Sequence, residues 1–198
     1  MRILLKLVID CDADAAWRAL HSPRALAELD GPFVTLDAPA DLPTSWTPEA
    51  EAIVDLALGP VPLGRQLIDI SEIQRLHRGE RVRILRDTGI PLAGPLAALD
   101  VWDHQMAVSP APGDPRRTLW RERLVIGGRA APALWPALWA VWQWRAARLR
   151  TLAPTWSHDT PDAAPDATPD ATLNAAPDAG SDAGARHPPS TRRAPRRE

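Results

Sequence analysis

Two stretches of this chain, VWDHQMAV at 101–108 and TLWRERLVI at 118–126, alternate apolar and polar side chains, and the segment between them is centred on Gly113. A period of two is the mark of a strand with one buried face, so the pair predicts an antiparallel hairpin. Folding the chain symmetrically about Gly113 sets Trp102 opposite Leu124, His104 opposite Glu122, Met106 opposite Trp120 and Val108 opposite Thr118. Matched residues share one side of a sheet. The inward face then carries Trp102, Met106, Trp120, Leu124 and Ile126 around His104 and Glu122, while Asp103, Gln105, Arg121 and Arg123 face solvent. A slip of one residue would expose the whole apolar set, which few other features of a chain forbid so strongly.

An isolated imidazole or carboxylate on such a face is costly, whereas a hydrogen-bonded pair satisfies both groups. Two readings of His104 and Glu122 stay open. They are a structural pair that fixes register inside a core, or a polar spot on a cavity wall that orients a ligand. Proton transfer is a narrower form of the second, because histidine suits acid–base work and a carboxylate can fix its tautomer.

Other elements surround the hairpin. RILLKLVI (2–9) reads as a first strand, Asp12 or Asp14 can cap a helix carrying AAWRAL, and Pro23 suits the first turn of a second short helix, PRALAEL. A loop rich in Pro and Asp leads to strands at 50–58, 65–74 and 81–87, with turns expected at 59–64 and 78–80 and a turn-rich stretch after Asp87. Residues 131–153 form a closing helix, with Pro132 or Pro136 in its first turn and arginines gathered toward its C-terminal end, where the dipole favours them. Trp135, Leu138, Trp139, Trp142 and Leu149 fall on one stripe of it, and Trp144 lies nearly opposite. The order of elements is α+β.

From Ser157 the chain changes to PDAAPDATPDAT and ends in RHPPSTRRAPRRE. Few large apolar side chains and frequent proline predict a disordered tail over 157–198, leaving 1–156 as the folded unit. Net charge is −2, with no basic stripe outside the last dozen residues, which disfavours nucleic-acid binding. No apolar run reaches the length of a membrane span, and no secretory cleavage pattern follows the N-terminus. Cys11 is the only cysteine, which fits a cytoplasmic setting and precludes an intrachain disulfide. His21 reads as a helix-end or surface residue and His77 as a solvated turn residue. The spacing of histidines and carboxylates points to no metal, the glycines fit no nucleotide-binding pattern, and no serine has an evident base; no cofactor is expected.

The segments GPVPLGRQLIDIS (59–71), WDHQMAV (102–108) and RTLWRERLVIGG (117–128), running into the long closing helix, resemble the helix-grip superfamily of START-like and polyketide cyclase/dehydrase proteins, SRPBCC. The resemblance covers about residues 2–153 and rests on arrangement, because the superfamily has no universally catalytic residue. It implies a curved antiparallel sheet wrapped around the C-terminal helix, with a cavity between them for an apolar or amphipathic molecule. On that basis Trp102, His104, Met106, Trp120, Glu122, Leu124, Trp135, Leu138, Trp139 and Trp142 are candidate ligand contacts, and His104 and Glu122 candidate catalytic groups. Three functions follow: binding of a lipid, isoprenoid or polyketide-like ligand; a cofactor-independent cyclase or dehydratase; or a partner-binding adaptor whose interior is filled by its own side chains. Oligomeric state is left open.

Overall fold

The computed structural model of the chain describes residues 1–32, 34–35, 45–48, 51–58, 61–77 and 79–157. The tail expected at the C-terminus lies outside them from His158 onward. Seven strands form one antiparallel sheet: β1 (Arg2–Ile9), β2 (Val34–Thr35), β3 (Glu51–Leu58), β4 (Val61–His77), β5 (Glu80–Asp87), β6 (Val101–Ala111) and β7 (Asp114–Gly127). Their order is β1-β7-β6-β5-β4-β3-β2. Two short helices, α1 (Ala13–His21) and α2 (Pro23–Asp30), follow β1, and α3 (Ala131–Trp156) closes the chain against the inner face. This is the helix-grip arrangement. Among the described residues no helix is long and apolar enough to cross a membrane.

Local chemistry accounts for the short helices. The Asp12 carboxylate accepts from the amides of Asp14 (2.9 Å) and Ala15 (2.8 Å), a cap worth about 1 kcal/mol. Ser22 caps α2 by accepting from the Ala25 amide, and Pro23 occupies the first turn, where its missing N–H costs nothing. Of the two readings of His21, the helix-end one holds, with the side chain largely buried at the end of α1. Its Nδ1 lies 2.8 Å from the Trp17 carbonyl and its Nε2 2.9 Å from Glu72, so it joins α1 to β4. Trp46, which falls in the predicted loop, is fully buried.

The hairpin forms, but its register sits two residues from the symmetric one. His104 pairs with Leu124, Met106 with Glu122, Val108 with Trp120 and Pro110 with Thr118. The turn tightens at Pro112–Gly113, where Gly113 takes a φ of 83° that favours glycine, and Ala111 faces Asp114. The register then shifts between Pro110 and Ala111, leaving Pro115, which has no N–H for a ladder, outside regular pairing. A two-residue slip keeps every side chain on its predicted face. His104 and Glu122 thus become diagonal neighbours instead of direct partners.

Two other stretches are more ordered than their turn residues suggest. β4 already begins at Val61. After β5 the chain stays hydrogen-bonded to β4, with the Leu67 amide donating to the Ile90 carbonyl (2.9 Å) and the Leu92 amide to Arg65 (2.7 Å). That approach needs Gly89, where a Cβ would collide with the Leu67 carbonyl oxygen. Gly89→Ala is expected to cost about 1–3 kcal/mol through the forced backbone shift, read as a lower urea midpoint. A change below about 0.5 kcal/mol, the range of an ordinary surface substitution, would mean the segment is not clamped.

The core has two parts. Under α1 and the end of α3, Leu7, Ile9, Leu20, Leu85, Trp120 and Leu149 pack together, with the Trp120 and Trp156 rings 6.0 Å apart. Cys11 belongs to this part, and burial pushes its thiol up to about 11. Under the first half of α3, Ile3, Leu124, Ile126, Leu138 and Trp142 form the second.

Candidate functional site

Beside the second core part the sheet and α3 do not close, and a cavity of about 370 Å³ remains. Its floor comes from inward positions of β3 to β6, among them Val54, Ile68, Trp102 and His104. Its roof is one side of α3 from Leu134 to Arg145, and Pro95 and Leu96 of a short 3-10 turn stand at its edge. Alternation along the strands and the helical repeat together present mostly apolar side chains to this space.

One end is polar. Arg145, buried on α3, donates from Nε to Glu122 Oε2 (3.2 Å) and from Nη2 to Oε1 (3.1 Å). Its Nη1 meets the Asp30 carboxylate at the end of α2. Glu122, whose side chain has no exposure, also accepts from the Trp120 indole (2.9 Å) and lies 3.3 Å from His104 Nε2. Burial pulls the Arg145 guanidinium down to about 9, still above neutral pH, so it remains a cation between two carboxylates. His104 stands edge-on to the Trp142 ring at 5.1 Å. A ring that donates through Nε2 to Glu122 carries its lone pair on Nδ1 when neutral.

Asp87, at the end of β5, is a buried carboxylate that, unlike Glu122, lines the cavity. It accepts from the amides of Gly89 (3.0 Å) and Asp69 (3.2 Å), the Trp102 indole (3.2 Å) and the Gln66 side chain (3.4 Å). Burial pushes its carboxyl above the usual carboxylate range, opposed by the hydrogen bonds and by His104. The Trp142 indole N–H is buried with no acceptor among the described residues.

Of the side chains singled out in the sequence, Trp102, His104, Leu138 and Trp142 line the cavity. Glu122 is behind His104, sealed by Arg145 and Trp120. Met106 and Trp120 pack in the first core part and Leu124 in the second. Trp135 is half-buried and donates to the Arg2 carbonyl (3.1 Å), while Trp139 is 46% exposed. Trp144, predicted opposite the stripe, reaches the Gly31 carbonyl (2.9 Å). The buried stripe of α3 actually runs through Leu138, Trp142, Arg145 and Leu149. Arg145 is among the arginines of the C-terminal half of the helix, yet its steps of three from Trp142 and four to Leu149 place it on that line. The inward position of Asp87 follows from its alternation with the fully buried Leu85. Asp30 has no such signal, because only the packing of α2 brings it to Arg145.

Solved structures share the architecture. A Chromobacterium violaceum protein matches with a TM-score of 0.53 at 18% identity, over 77% of this chain and 96% of its own. A hypothetical protein of Helicobacter pylori matches at 0.53 and 13% identity, over 77% and 88%. At such identities the likeness shows the fold alone. No protein-family model matches the chain, and no curated protein does.

Proposed function

We propose that this protein binds a small, largely apolar molecule in the cavity between the sheet and α3, as SRPBCC-type proteins do. The observation that carries the reading is the cavity itself. Its 370 Å³ falls in the lower part of the range of small-molecule sites, about 300–1,000 Å³, and its walls combine aliphatic side chains with a few convergent polar groups. Trp102 and Trp142 on the lining suit an aromatic or aliphatic guest. An adaptor filled by its own side chains would leave no such space.

Native mass spectrometry of protein purified from its host is expected to show a noncovalent apolar adduct. A cavity ligand at a hundred times its Kd should stabilise the fold by about 2.7 kcal/mol. Repeated absence of an adduct, with no stabilisation by any member of an apolar library, would contradict the reading.

A second reading has one observation in its favour: a buried carboxylate fixes His104 on the cavity wall, the arrangement of an oriented general base. On this reading the protein assists enolisation or dehydration of a bound polyketide-like chain. His104→Gln then abolishes conversion while ligand affinity stays within about tenfold, roughly 1.4 kcal/mol. Unchanged conversion would leave the pair a structural element.

A further inference from the structure

The polar wall of the cavity is unevenly charged, and the imbalance bears on which ligands it accepts. Arg145 is the obvious anchor for a carboxylate or phosphate, but its fork is spent: Nε and Nη2 serve Glu122, and Nη1 serves Asp30. An acidic ligand would have to displace Glu122, fully buried, or Asp30, which is partly exposed on the cavity wall, to reach it. At the opposite side of His104 stands Asp87, 7% exposed, whose four hydrogen-bond donors are all neutral: two backbone amides, an indole and a carboxamide. No lysine or arginine forms an ion pair with it among the described residues.

Three carboxylates, those of Asp30, Glu122 and Asp87, therefore share one guanidinium. Even a protonated His104 leaves one of them unmatched. A buried charge without a counter-ion is costly, and an ion brought by a guest would relieve it.

Resting on the reading that the cavity holds an apolar guest, we propose that the ligand's polar end is a protonated amine, with Asp87 as its counter-ion. Its apolar body lies between Trp102 and the roof formed by Leu138 and Trp142, residues that border the same space. Both Asp87 oxygens already accept two hydrogen bonds each, so the ammonium replaces the longest of the four, that of the Gln66 carboxamide at 3.4 Å, and the ligand completes the charge balance of the wall. Burial already pushes the Asp87 carboxyl upward, the direction expected of a group lacking a cation. Carboxylic acids of the same shape are rejected, because they bring a fourth negative charge beside three others.

Three probes that share one ring system separate the charge from the apolar contact: 2-(2-naphthyl)ethylamine, 2-(2-naphthyl)ethanol and 2-naphthylacetate, titrated at pH 7 against the tryptophan fluorescence of the full chain. The amine is expected to bind about tenfold tighter than the alcohol and about a hundredfold tighter than the acid. Asp87→Asn is expected to bring amine and alcohol within about threefold of each other. Should the loss of that carboxylate prevent folding, Gln66→Lys puts an ammonium on the side chain whose carboxamide now lies 3.4 Å from Asp87, and the ratio of amine to alcohol affinity should fall to about one or below. An acid that binds as well as the amine overturns the proposal and leaves the cavity reading standing. A preference that survives both substitutions overturns it equally. If none of the three probes binds while a member of the apolar library stabilises the fold, the proposal is overturned and the cavity reading stands; if no library member does either, both fall.

Discussion

Glu122→Leu should destabilise the protein by about 3–5 kcal/mol, the usual cost of breaking a buried ion pair by removing one partner. Glu122 has no exposed side-chain surface and joins β7 to α3 through both oxygens, taking Arg145 on each, the Trp120 indole on one and His104 on the other. Its loss leaves a guanidinium inside the protein with Asp30 as its only carboxylate partner among the described residues. Against a total stability of about 5–15 kcal/mol the single change can abolish folding at 37 °C. Arg145→Met should cost a similar amount for the mirrored reason. The double variant Glu122→Leu/Arg145→Met removes both charges and should cost about 2–3 kcal/mol less than the sum of the two single changes, the coupling read from a double-mutant cycle. Urea unfolding of the four proteins checks this. Single variants within about 1 kcal/mol of wild type would mean that the pair contributes little to closing α3 on the sheet.

The second large effect concerns the cavity. Ala137 lies on its roof near the edge and is exposed to solvent, so a bulky side chain there can fill the opening without entering the packed core. Ala137→Trp is expected to weaken binding of any cavity ligand by about a hundredfold, roughly 2.7 kcal/mol. Stability should change only by the difference in helix propensity, below about 0.7 kcal/mol. Isothermal titration alongside thermal unfolding separates the two effects. Unchanged affinity in a folded Ala137→Trp protein would place the ligand elsewhere on the molecule.

Much of the scaffold is legible in the sequence, because it depends on local signals. Asp12, Ser22 and Pro23 announce their helices, and the alternation of Trp102, His104 and Met106 places all three inward. What escapes a local reading is how elements meet. The hairpin register depends on Pro115 leaving the ladder, which moves the Glu122 partner from His104 to Met106 while preserving faces. Arg145 shows how a residue type can mislead: one of the arginines gathered toward the C-terminal end of the helix, where the dipole favours them, it occupies the buried stripe, because two carboxylates from other elements await it. Trp139 is the converse. Its ring suggests packing, but it lies about 100° around the helix from Leu138 and remains half exposed. The cavity, too, is a property of assembly. No single strand predicts that Val54, Asp87 and Leu134 will border one space.

The most direct test of a guest held between sheet and helix uses the indole N–H signals of the nine tryptophans, resolved by 1H–15N NMR before and after saturation with a ligand selected by thermal shift. Binding in the cavity predicts that Trp102 and Trp142 move and that Trp46, Trp120 and Trp156, packed in the other part of the core, stay in place. Shifts confined to the exposed Trp139 and Trp144, with Trp102 and Trp142 unmoved, would contradict it.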